Sequence, residues 1–592
     1  MAEPLIINNW QLGVATSPHM GFADMRNVDI KSEPGVLMAG YETALNSPGR
    51  VASQTFTADA ATDLIAYGTT IPALRAVTVS SSGTLPAGLT AATTYYTIGG
   101  GTSTKLATTL ANAEANTPID ITDAGSGTHS IVTVNMDIPI WVCKSANNGH
   151  FWLLDNSGRL WSSRNSDLGS WYFIEGNATK GNGNGLLWWK NYVLVFDDTG
   201  VSAFGPTTSA FGSQAWTNSG NPFNTSLTTN DWHSALVGQD DIIYYCNDRY
   251  VGSIQENGTF AGTAGTATFT QQALDLPADY DTRCLAELGQ YLLIGTSNGL
   301  NENTMRTADI FPWDRVSSSF DLPLRLSEFG VKSMLTKGTE VYIMAGNEGN
   351  LYKTNGSSVS FVKQIPLSVT KLHDNSSVRL QLIVYPQSMA DHKRRVFMGI
   401  GGTNGSANAS GCGVWSYDTE TDALVFEHQI STGSTGGDTG AGTSGVKIGA
   451  IFSGDDQQLV VGWNDAGDSN VSGADATAKV NRYDGTTDAY AISQLFIVGT
   501  KRKPMTYSEV QVDFGEALES GDNVVVKYRT GAAGTWVTLA TFNTADTVSD
   551  EADADGLVDI TTIQVQAIVY NSLSGNKTPR LKEVRLIPAT EQ

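Results

Sequence analysis

The sequence predicts an all-β protein built on a six- or seven-bladed β-propeller, with an N-terminal leader, an inserted small β module and a C-terminal β-sandwich. Three observations carry that prediction. An apolar run of four or five residues, then a short polar turn and Gly, recurs every 41 to 63 residues, starting at Phe151, Tyr192, Tyr291, Val341 and Leu459, with looser copies at Ile242 and Val396. A repeat of this length suits one small antiparallel sheet. Gly occupies 62 of 592 positions and charged residues only 16%, a composition of short strands joined by tight turns. No long helical periodicity is present.

Residues 1–51 read as an irregular leader available for propeller closure. Within it, positions 23 to 28 read as one helical turn ahead of the Pro34-Gly35 turn signal. Residues 52–136 change composition: Ala, Thr, Gly and Ser dominate and Trp is absent. They read as the inserted module, with strand-like Tyr95-Tyr-Thr-Ile98 and Ser130-Ile-Val-Thr-Val134 and a short helix over 108–115. Residues 137–490 carry the repeats. Leu186-Leu-Trp-Trp189 precedes Tyr192, and Ser333-Met-Leu-Thr336 precedes Val341, so each repeat contributes a hairpin. Irregular spacing at both ends implies that one blade is completed by distant segments. Residues 491–592 switch to five alternating runs, among them Glu509-Val-Gln-Val-Asp-Phe514 and Ile563-Gln-Val-Gln-Ala-Ile-Val-Tyr570 read with a period of two, the pattern of a sandwich with one wet face per sheet.

The formal net charge of −23 argues against a general nucleic-acid binder, which needs Lys and Arg to displace counterions from phosphate. A dense basic run, His392-Lys-Arg-Arg395, reads as a solvated turn before a strand. The opening residues lack the basic start and apolar core of a secretory signal, and no run of about 18 apolar residues occurs, so a soluble cytosolic product is expected. Cys143, Cys246, Cys284 and Cys412 are scattered singly and read as buried thiols rather than zinc ligands or a disulfide framework.

No string in the chain supplies a recognised catalytic constellation. The seven histidines form no His-x-x-x-His, and neither a Gly-x-Ser-x-Gly elbow nor a phosphate-binding loop occurs, so no catalytic residue is assigned and the chain is expected not to be an enzyme. The related strings running from Arg164 to Trp171 and from Arg306 to Trp313 read as structural blade turns. One string resembles half a calcium loop: Glu551, Asp553, Asp555 and Asp559 place oxygens at alternate positions around Gly556. Thr562 stands where a closing Glu is needed, so a solvated acidic turn is the first reading and a calcium site the second. A further acidic string, from Asp465 to Asp475, also lacks a closing Glu. No other cofactor is expected.

The leader string Gly21-Phe-Ala-Asp-Met-Arg-Asn-Val-Asp-Ile30, followed by the Pro34-Gly35 turn, resembles the openings of phage tail proteins. The block from Leu85 through Ile131 resembles a small β module inserted in many phage virion proteins. With the propeller and sandwich, the layout resembles tail nozzle or hub proteins of tailed bacteriophages, of the tail tubular protein B type. That resemblance implies a structural protein of the virion tail, assembled in the host cytoplasm as a homo-oligomeric ring around the DNA exit channel. Other tail proteins would be its partners in tail assembly and genome delivery, and DNA would pass without specific binding. A receptor- or carbohydrate-binding tail protein is the alternative reading, and a virion-associated glycosidase the third.

Overall fold

A computed structural model of the chain describes residues 3–14, 22–44, 53–163, 168, 171–176, 183–197, 200–209, 214–217, 227–228, 232–298, 308–328, 330–346, 349–365, 381–403, 413–428, 446–454, 458–465, 471–482, 489–531, 534–572 and 578–589. Each of the seven apolar runs is the second strand of its own antiparallel sheet. The first sheet runs Pro139–Lys144, Phe151–Asp155, Arg159–Ser163, Trp171–Gly176, and the second Gly183–Trp189, Tyr192–Asp197, Gly200–Gly205, Ala215–Trp216. The third is Ala235–Val237, Ile243–Asn247, Tyr250–Glu256, Ala267–Asp275, and the fourth Tyr280–Leu288, Tyr291–Asn298, Ala308–Trp313, Leu324–Leu326. The fifth is Val331–Lys337, Glu340–Ala345, Asn350–Thr354, Val359–Gln364. In the sixth, Arg395–Thr403, Gly413–Asp418 and Ala423–His428 follow an inner strand split into Gln381–Ile383 and Met389–His392. The seventh runs Val446–Ser453, Leu459–Asp465, Val471–Arg482, and its fourth strand, Tyr41–Ala44, comes from the leader.

First strands of successive sheets touch one another around the series, and that of the seventh returns to that of the first. The chain is therefore a β-propeller. Second strands are buried along their length, as in Phe151–Asp155 and Tyr192–Asp197, because neighbouring sheets cover both faces. Aromatic pairs bridge adjacent sheets: Trp152 with Phe204 at 5.7 Å, Phe196 with Tyr245 at 5.5 Å, Tyr244 with Trp313 at 5.6 Å and Tyr342 with Tyr417 at 6.1 Å. At the seam, Phe151 of the first sheet stacks on Phe452 of the seventh at 5.1 Å. There Gly449 and Gly462 lie against the Pro139 carbonyl so closely that a β-carbon on either would overlap it.

Residues between the leader and the first sheet form a closed six-stranded barrel, made of Gln54–Asp59, Leu64–Ile71, Ala76–Ser81, Thr94–Ile98, Gly101–Ala107 and His129–Thr133. Phe56, Ile65, Val77, Val79, Leu106 and Ile131 fill it. A short helix, Leu110–Glu114, is capped by Thr109, whose hydroxyl accepts from the Asn112 amide. Tyr96, Leu110 and Ala113 share a core with Phe151, Trp161 and Trp171 of the first sheet and Phe452 and Val460 of the seventh, so the barrel lies across the propeller's seam.

The leader differs from its sequence reading. Positions 23 to 28 form no helical turn: Asp24–Arg26 and Val28–Asp29 are strands. Asp24–Arg26 pairs parallel with Ala423–His428 and antiparallel with Tyr490–Ile492, and Met25 and Val28 are fully buried, so long-range pairing overrides a weak local signal. Tyr490–Ile492 continues the same sheet into Thr562–Asn571, Asp522–Arg529 and Val537–Phe542. A second C-terminal sheet, Leu5–Ile7, Leu581–Pro588, Tyr507–Phe514, Ser549–Asp553, shares one core with it through Val510, Val512, Val524, Val565, Val584 and Leu586.

Candidate functional site

The most elaborate polar arrangement lies where the leader crosses the sixth sheet. Arg395 opens its second strand, Ser416 sits on the third and Glu427 on the fourth; all three are buried. Arg395 Nη1 donates to Glu427 Oε1 and, at 3.3 Å, to Ser416 Oγ, which donates to the same carboxylate oxygen at 2.5 Å. Burial raises the Glu427 carboxyl above its ordinary value, against the opposing pull of Arg395 and Ser416. Beside them Lys31 Nζ of the leader pairs with Asp418 at 2.7 Å and Glu420 at 2.9 Å. Burial opposes ionisation of Asp418, but hydrogen bonds from Lys31 and the Glu420 amide hold its carboxyl below the usual range. A cavity of about 140 Å³ opens between these groups, lined by Gln11, Lys31, Arg395, Ser416, Asp418 and Glu420.

These charges are matched within the fold, so the chemistry of the arrangement is fastening. The same junction holds Trp10, fully buried, whose Nε1 donates to the Lys582 carbonyl at 2.7 Å and whose ring stacks on Phe22 at 5.1 Å. Arg580 pairs with Glu33 at 3.2 Å and also with Glu516.

The basic run at 392–395 divides in two. Lys393 and Arg394 form an exposed left-handed turn, whereas His392 and Arg395 are buried, so the run is only half the solvated turn that the sequence suggests. Burial lowers the His392 pKa to about 4, with Lys393 and Arg395 adding to it, while Nδ1 contacts Ser453 Oγ at 2.8 Å. Trp171 and Trp313 are buried between sheets. Asp309 is also buried and accepts from the Tyr280 hydroxyl at 2.5 Å; residues 164–167, 169–170 and 306–307 of the two related strings lie outside the described residues.

The calcium reading is not supported by the geometry. Glu551 and Asp553 are exposed on strand Ser549–Asp553, Asp555 and Asp559 follow in an exposed turn, and no three carboxylate, imidazole or thiol groups come together to hold a metal among the described residues. Glu551 and Asp553 share one face of an extended strand while Asp555 and Asp559 lie in the turn beyond its end, so the four are not gathered around one point. Glu551 instead faces Glu509, whose charge raises its carboxyl pKa. Of the string from Asp465 to Asp475, residues 466–470 lie outside the described residues. Cys246 and Cys284 are buried and Cys143 half-buried, with no disulfide among the described residues; Cys412 lies outside them.

One charged feature escaped the sequence reading. Lys501, Arg502 and Lys503 form a second basic run, exposed at the tip of a hairpin closed by the Thr500 to Lys503 bridge. Charge counted per segment, rather than over the chain, finds it.

No family model matches the chain, and no curated protein matches it. Among solved structures, the Myceliophteria thermophila Cps50 (Swd1) β-propeller domain is similar at 10% identity and a TM-score of 0.37, over 59% of this chain and 98% of that one. The computationally designed Ika8 protein is similar at 10% identity and 0.32, over 61% and 93%. Chaetomium thermophilum Raptor is similar at 11% identity and 0.37, over 58% and 28%. The propeller assignment stands on the chain's own sheet order. No helix among the described residues is long and apolar enough to cross a membrane.

Proposed function

We propose that this chain is a non-enzymatic structural subunit of a tailed-phage virion: a seven-bladed propeller with a C-terminal β-sandwich, assembled as a nozzle or hub ring around the DNA exit channel. One observation carries the reading. The barrel and the C-terminal sheets are fastened to the propeller by buried strands and shared cores, a build suited to bearing load. The resemblance of the leader and the inserted module to virion proteins supplies the setting. A net charge of −23 supports the mechanism, because acidic walls offer a passing polyanion few sticking points.

The size of the purified full-length protein tests this. A closed ring of about six or twelve copies is expected. A trimer that binds host surface polysaccharide would overturn it in favour of a receptor-binding protein, and sugar release from that polysaccharide would make it a glycosidase.

A further inference from the structure

The basic hairpin stands out against the charge of the whole. Lys501, Arg502 and Lys503 are exposed, and none forms an ion pair among the described residues. Apolar side chains flank them: Ile497 is 82% exposed, Val558 58% and Leu495 36%. Leaving aliphatic groups in water beside three unneutralised cations favours a partner that is both acidic and apolar.

The same chain carries such a surface. Strand Ser549–Asp553 is the last strand of its sheet, and among the described residues no strand pairs with its outer edge. Glu551 and Asp553 are exposed along it, Asp555 follows, and Val548, 60% exposed, precedes it. Glu551 already stands against Glu509. Carboxylates on a free edge repel indiscriminate strand pairing, and a cationic partner cancels that repulsion.

We propose that the 500–503 hairpin of one copy docks on the free edge of strand Ser549–Asp553 of a second copy, with Lys501, Arg502 and Lys503 meeting Glu551, Asp553 and Asp555, and Ile497 meeting Val548. A second copy fits better than a nucleic acid, because a phosphate backbone offers Ile497 and Val558 no apolar contact, whereas the Ser549–Asp553 edge sets exposed Val548 beside its carboxylates. The two surfaces differ, so the contact is heterologous and repeats from copy to copy until rotation closes it. It rests on the assembly reading above and supplies the contact that reading lacks.

The test is mass measurement on full-length protein across a concentration series. It uses the wild type, a Lys501→Glu/Arg502→Glu/Lys503→Glu variant, a Glu551→Lys/Asp553→Lys/Asp555→Lys variant, and their equimolar mixture. All six positions are exposed, so both variants should keep the wild-type urea midpoint. Wild type should assemble, each variant alone should associate at least about tenfold more weakly, and the mixture should recover association. A hairpin variant that assembles like wild type overturns the contact and leaves the ring reading standing. A mixture without recovery also overturns the contact. A wild type that stays monomeric overturns both, as does one that binds a duplex DNA oligonucleotide through the hairpin without self-association. Recovery that stops at a closed pair supports the contact and overturns the ring.

Discussion

Apart from the parallel step between Ala423–His428 and Asp24–Arg26, the propeller sheets and the C-terminal sheets are both antiparallel, yet they are assembled from the chain in opposite ways. In the first five propeller sheets every strand pairs with its neighbour in sequence. In the C-terminal sheets Leu5 pairs with Leu586 and Asp24 with Ile492, so single sheets join opposite ends of the chain. Local pairing makes a repeat that can be multiplied; remote pairing makes a clasp that fixes where multiplication stops. Burial follows the division only in part: the second strands of the propeller are covered on both faces and Tyr507–Phe514 and Leu581–Pro588 alternate, but Thr562–Asn571, which continues the sixth sheet, is buried almost throughout.

Several measurements would break or sharpen this contrast. The largest effect is expected at the clasp: Trp10→Ala removes a fully buried indole and its bond to Lys582, and should cost about 3–5 kcal/mol by urea unfolding. It should also bring early protease cleavage to the leader while the barrel stays intact. If Leu293→Ala in the fourth sheet lowers stability equally and exposes the leader equally, the two regions unfold as one and the contrast fails. Next comes Glu427→Gln, which leaves the Arg395 charge buried without its counterion at a cost of about 3 kcal/mol. The double replacement Arg395→Met/Glu427→Leu should recover most of that loss, and no recovery would show that the pair does more than fasten.

Gly449→Ala forces a methyl into the Pro139 carbonyl at the seam and should cost about 1–3 kcal/mol, more than the same change at exposed Gly265, where a β-carbon meets nothing. Acidification should act on the sixth sheet. The folded-state pKa of His392, about 4, lies below its unfolded value of 6.5, so the native molecule takes up this proton later than the unfolded chain does. Stability held above pH 6.5 is then lost as pH falls toward 4, by at most about 3 kcal/mol. His392→Gln should lessen that slope in urea midpoints measured from pH 7 to 4, the remainder belonging to buried His428, whose pKa burial lowers to about 3. The smallest effect concerns the acidic string: calcium or a chelator should leave the melting temperature unchanged, and a rise with calcium would reinstate Glu551, Asp553, Asp555 and Asp559 as ligands.

What was legible in the sequence follows the same line between local and remote pairing. Phe151, Tyr192, Tyr291, Val341 and Leu459 open or lie within second strands because a buried strand bounded by turns writes itself as a continuous apolar run. Asp24, Met25 and Arg26 gave no such signal: three residues in a strand are too few for periodicity, and their partners lie hundreds of positions away. The acidic string misled because carboxylate spacing along a chain says nothing of convergence until the backbone is known to curl. Arg395 and Glu427 were invisible as a pair, since strands separated by a third must first be brought into one sheet.

The leader strand that completes the seventh sheet also sets a timetable. Tyr41–Ala44 leaves the ribosome before its partner strand Val471–Arg482, which lies more than four hundred residues later, and at typical elongation rates the wait is roughly twenty seconds to a minute and a half. All six strands of the barrel lie within residues 54–133, so it needs none of the later chain to close, and its core meets both the first and the seventh sheet. Closure therefore waits for Val471–Arg482, and a product truncated before it would leave Tyr41–Ala44 without the strand it pairs with.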